Sequence, residues 1–124
     1  MQTNLIKRVA DNVAVVAEKI QNRLERRRMV SLQPNKPAIG NVLISYVLDP
    51  FTLKPGEPIS ISHTQHWECL QMAKTFLDLG YNVDVIWFFN DTFLPKKDYA
   101  FFIETRWNLQ RCAPFLNKDC IKIF

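Results

Sequence analysis

The 124-residue chain is predicted to adopt an α/β fold: a mostly parallel sheet of about four strands with flanking helices, preceded by a long N-terminal amphipathic helix. Three observations lead there. A short, almost wholly apolar run rich in β-branched residues, 42–47, has the character of a strand buried on both faces, as parallel strands are, and 83–88 reads as a second strand. A segment of helical spacing lies between them, and alternating strands and helices imply parallel pairing through right-handed crossovers. The first thirty residues carry an apolar stripe at helical spacing and hold no glycine or proline.

In the first segment (1–30) that stripe is Leu5, Val9, Val13, Val16, Ile20 and Leu24, at steps of four and three, which marks one face of a helix over roughly 4–29. Thr3 or Asn4 suits its start, and the arginines near its end complement the helix dipole. Residues 31–40 hold Pro34, Pro37 and Gly40 and read as a linker. The first strand, 42–47, leads into a long loop, 49–62, broken by Pro50, Pro55, Gly56 and Pro58. A helix over 63–79 follows. Ser62 with Gln65 has the capping-box pattern, Trp67, Leu70, Ala73 and Leu77, with Cys69 and Phe76 alongside, form its inward stripe, and Gly80 closes it. Strands over 83–88, 99–103 and 120–124 complete the set, with a helix over 106–116 that Pro114 shortens or bends. Further helices are normally needed to cover such a sheet, so the α/β domain of 41–124 is expected to be an incomplete portion of a larger protein. The alternative is a compact domain covered by its own N-terminal helix.

Composition narrows the class. Hydrophobic residues make up 48% and charged residues 23%, an ordinary globular balance. The longest uncharged apolar run, 42–48, falls far short of the ~20 residues of a membrane span, and the charged N-terminal segment does not read as a secretory signal. Three cysteines without a C-x-x-C pair argue against a disulfide framework or structural zinc, and for a reducing, cytoplasmic setting. Residues 1–35 hold seven basic and three acidic side chains, and the remainder holds nine of each, so the whole net charge of +4 lies in the basic helix. Its Arg26-Arg27-Arg28 run allows peripheral membrane contact. The lack of aromatics before residue 41 argues against nucleic acid and weakens a membrane role, and favours docking of the apolar face on the chain's own domain or a partner helix.

Open α/β sheets bind ligands beyond the carboxyl ends of their strands. That rim gathers most polar groups with catalytic potential: Asp49, His63, Thr64, Gln65 and His66 after the first strand, with Phe51 beside them, Asn90 after the second, Glu104 and Arg106 after the third. The two histidines open a helix, where free N–H groups favour anions and a histidine can donate or act as a base. They can equally serve as caps. Asp49 can orient a histidine or accept from a substrate hydroxyl, or simply form the turn before Pro50. Arg106 can clamp a phosphate or pair with Glu104. A metal at His63, His66 and Asp49 would lack a fourth ligand, so no metal or other cofactor is expected. The loop after the first strand has one glycine, Gly56, and no G-x-G-x-x-G, and neither a P-loop nor a G-x-S-x-G elbow exists, which excludes the commonest dinucleotide, P-loop and serine-hydrolase layouts.

Residues 41–124, two-thirds of the chain, resemble the N-terminal Rossmann-like domain of GT-B-type glycosyltransferases. The resemblance rests on the strand Asn41-Val42-Leu43-Ile44-Ser45-Tyr46-Val47, the long loop delivering His63-Thr64-Gln65-His66-Trp67-Glu68 to a helix start, and the passage Leu79-Gly80-Tyr81-Asn82-Val83-Asp84-Val85 from helix into strand. It implies the acceptor side of a two-domain enzyme that transfers sugar from a nucleotide-sugar donor to a glycan or small-molecule acceptor, generally without a catalytic metal. Asp49 with His63 or His66 would then line the acceptor cleft, one of them as general base, and Phe51, Thr64, Gln65, Asn90, Glu104 and Arg106 would contact substrate. The glycine-rich loop usual after the first strand is missing, and the donor domain would have to lie in a missing C-terminal part or a partner chain. The other expectation is a non-enzymatic interaction or assembly module that uses the basic helix.

Overall fold

The computed structural model describes residues 2–60 and 62–124. Helix α1 (Gln2–Arg26) leads into β1 (Met29–Leu32) and β2 (Asn41–Tyr46). A 3₁₀ turn (Asp49–Phe51) and a long loop precede α2 (Thr64–Asp78). Strand β3 (Asn82–Trp87), strand β4 (Phe101–Glu104), helix α3 (Asn108–Cys112), a 3₁₀ turn (Ala113–Phe115) and β5 (Ile121–Ile123) complete the chain.

The fold is α/β with a five-stranded sheet in the order β1-β3-β2-β4-β5. The four later strands pair in parallel, and β1 lies antiparallel on β3, with Ser31 opposite Asp84. One strand more than expected therefore exists. The start of the expected linker is strand, and the first helix stops at Arg26 rather than near residue 29. The cause is local: Val30 and Leu32 turn toward the core while Ser31 turns to the opposite face, a period-two pattern that a helix cannot satisfy.

Each face of the sheet has its own core. Val42, Ile44, Val83, Val85 and Ile103 pack with Cys69 and Ala73 of α2 on one face. Leu43, Ile86 and Phe102 pack with Tyr99, Cys112 and Cys120 on the other. Burying such aliphatic and aromatic side chains contributes about 1.5–3 kcal/mol each. The chain leaves β2 through α2 to reach β3, then returns across β2 through the 88–100 segment to reach β4. Reversing direction moves the connection to the opposite face when crossovers keep their right hand, and the two cores follow this. The reversal puts the switch point of the sheet between β2 and β4. Counted along the chain, the parallel strands run second-first-third-fourth, rather than the third-second-first-fourth arrangement of dinucleotide-binding sheets.

Helix α2 ends in a Schellman turn. Gly80 (φ 97°) donates to Leu77 O and Tyr81 to Phe76 O, and the Phe76 and Tyr81 rings meet edge to face at 6.1 Å. Its start differs from the capping-box expectation. His63 is the N-cap, with no side-chain cap bond, while Ser62 shares a hydrogen bond with Ser60. Trp67, expected on the buried stripe, is 60% exposed. Pro114 closes α3 after five residues, as a residue without an N–H should.

All described side chains of α1 are exposed, including the Leu5, Val9, Val16 and Ile20 face. Docking of that face on the chain's own domain is thus not what forms. Among the described residues, no helix is long and apolar enough to cross a membrane.

Candidate functional site

Strand β2 ends at Tyr46, the buried Val47 and Leu48 follow it, and Asp49 comes next in a 3₁₀ turn fixed by Pro50, which presets the backbone dihedral there. The Asp49 side chain is 63% exposed, and its Oδ2 faces His66 Nε2 at 3.8 Å. That distance is an ion pair only when the imidazole is protonated, and too long for a hydrogen bond. The His63 ring lies 5.3 Å from that of His66. Thr64 is exposed and Gln65 half-buried in the first turn of α2, while Phe51 packs against the core beneath. The carboxylate, the imidazoles and the N-terminus of α2 therefore meet at the carboxyl end of β2. Among the described residues, no three His, Cys, Asp or Glu side chains converge as metal ligands.

Two clefts flank Asp49. One of about 210 Å³ is walled by Leu53, Pro58, Ile59 and His66. The other, about 320 Å³, runs from Leu48 and Asp49 to Trp87 and the Glu25 and Arg28 side chains at the end of α1. Nearby, the Tyr46 hydroxyl donates to Glu68 at 2.8 Å, and burial followed by that bond pushes its pKa up to about 12.

Across the switch point, Glu104 ends β4 beside Ser45 of β2. It is almost fully buried. Its Oε1 accepts the backbone N–H groups of Thr105 (2.9 Å) and Arg106 (2.6 Å), whereas Oε2 has no hydrogen-bond partner. The pairing of Glu104 with Arg106 is made by backbone rather than by guanidinium. The Arg106 side chain instead lies over the Phe88 ring at 5.0 Å. Asn90 is buried, and its Oδ1 accepts from Thr92 N, Thr92 Oγ1 and Phe93 N, which makes it the organiser of the turn after β3. Arg111 clamps this turn through the carbonyls of Asn90 and Phe93, and joins it to Asn108, whose amide bonds Ser45 Oγ.

Two features escaped the sequence reading. Asp84, inside β3, accepts from Ser31 Oγ (2.8 Å), Tyr99 Oη (2.6 Å) and Lys97 Nζ (2.8 Å). Burial opposes its charge, but these three donors outweigh it and hold the carboxyl below its ordinary range. Burial and the same carboxylate push Tyr99 up. The second is an aromatic row along the rim: Trp87, Phe88, Phe89 and Trp107 touch in sequence, with ring centroids 4.3–5.8 Å apart. Trp107 falls inside the helix expected over 106–116, and its one signal in the sequence is its place just beyond the end of a strand. Burial raises Cys69 to about 11 and also raises Cys112 and Cys120, as suits core thiols.

Compared with protein-family models, with curated proteins and with solved structures, the chain matches none at the level taken as significant.

Proposed function

We propose that the chain is the acceptor-side N-terminal part of a glycosyltransferase that uses a nucleotide-sugar donor, with the donor bound by a further domain or a partner chain. The observation that carries this reading is the Asp49–His66 pair at the carboxyl rim, an exposed carboxylate that borders two clefts and faces a largely buried imidazole lining one of them. In this role Asp49 orients His66, and the imidazole takes the proton of an acceptor hydroxyl as that oxygen attacks the sugar. His63 extends the polar wall, and the N–H groups at the start of α2 favour negative charge. The Rossmann-like assignment rests on the buried parallel strands and the rim, since the strand order is not the dinucleotide-binding one.

The test starts from tagged protein recovered from its native host with whatever chains accompany it. Transfer of radiolabel from UDP- and GDP-hexoses to endogenous acceptors is expected, with at least a tenfold loss in Asp49→Asn and His66→Ala proteins. Equal activity in both variants would contradict the assignment. A non-enzymatic assembly module is the second reading, favoured by one observation: the apolar face of α1, with Leu5 64% and Val13 62% exposed, has no partner among the described residues.

A further inference from the structure

We propose that the rim between β3 and β4 binds a pyranose ring carrying an anionic group, the ring stacking on Trp107 and Phe89 and the anion held by Arg106 and Arg26. This rests on the glycosyltransferase reading and names the chemical class of its acceptor. Trp107 is 60% and Phe89 40% exposed, with ring centroids 5.8 Å apart. Large aromatic faces left in water are costly unless something covers them, and the C–H face of a sugar ring is flat and apolar enough to do so. Two guanidiniums border this surface: Arg106 stands 5.0 Å over Phe88 and Arg26 6.0 Å over Phe89, and those two rings are in contact. Among the described residues no carboxylate lies within ion-pair distance of either guanidinium, so the donors of both suit a phosphate or carboxylate.

A pyranose meets both needs: an apolar ring face and, when phosphorylated or oxidised to a uronate, the negative charge. A nucleotide would also stack, but the loop after β2 has no glycine-rich turn to cradle its phosphates.

The chain has three tryptophans, so an ¹⁵N-labelled sample gives three indole signals, assigned with Trp67→Phe and Trp107→Phe proteins. Titration with glucose 6-phosphate and glucuronate is expected to move the Trp107 signal, with half-saturation at about 1 mM, and to leave Trp67 in place. Methyl glucoside is expected to bind at least fivefold more weakly. Trp107→Ala should weaken binding of both anionic sugars at least tenfold. Arg106→Gln should reduce glucose 6-phosphate to the level of the neutral glucoside without changing the latter, which a merely structural role for Arg106 would not do. No Trp107 shift with any pyranose, an equal shift with inorganic phosphate alone, or tighter binding of UMP would overturn the proposal. If the platform fails while Asp49→Asn and His66→Ala still abolish transfer, the enzymatic reading survives without it. If Trp107 responds but no transfer is ever found, the opposite holds.

Discussion

Asp84 and Asp49 belong to neighbouring strands and do opposite work. Asp84 sits within β3, buried, with a lysine, a tyrosine and a serine all donating to it. Its partners come from an edge strand and from the loop before β4, so it ties three separate stretches of chain together. Asp49 lies three residues past the end of β2, mostly exposed, with one imidazole 3.8 Å away. A carboxylate with both oxygens engaged by side-chain donors holds a fold; one with its bonding capacity open to solvent is available to a ligand. The difference follows from position, because the middle of a sheet can be closed over by side chains while the carboxyl rim stays accessible.

That contrast can be broken by substitution. Asp84→Ala leaves the Tyr99 and Ser31 hydroxyls without their acceptor and returns the half-exposed Lys97 ammonium to water, and should cost about 2–3 kcal/mol in urea unfolding. A loss below about 1 kcal/mol would mean that the cluster is incidental. The same carboxylate sets a pH dependence. Its folded pKa lies below the ordinary value, about 3.9, so its contribution is complete above that value and is lost as pH falls through the folded pKa. Acid unfolding curves should therefore show a stability loss at low pH that is absent in Asp84→Asn. Ser31→Ala should cost about 1 kcal/mol, and hydrogen exchange should locate the loosening at β1 while β2 stays protected. The smallest effect belongs to Asp49→Asn, expected within about 0.5 kcal/mol of the parent. A larger loss would make Asp49 a structural residue like Asp84.

The legibility of the fold in the sequence followed the same divide. Strands β2 and β3 were readable because both faces are buried and their runs are largely apolar. Strand β1 was not, because four residues directly after a helical pattern carry too short an alternation to stand out. Trp67 shares a stripe with Leu70 and Ala73, yet spacing alone does not say where the margin of the buried face falls. The stripe of α1 was plain and its partner was not, since periodicity shows that a face is apolar but not what covers it. At the rim, Asp49 and His66 were accessible to reasoning because one ends a strand and the other opens a helix. Asp84 was hidden, because Val-Asp-Val inside a strand gives no sign of the three donors that distant segments bring to it.

The most direct test of this division is isothermal titration of the chain with nucleotide sugars and their free nucleotides. An acceptor-side domain is expected to bind none of them more tightly than about 1 mM, a free energy near −4 kcal/mol. Micromolar binding of a nucleotide, abolished by His63→Ala or His66→Ala, would contradict it and make the rim at the start of α2 a complete nucleotide site.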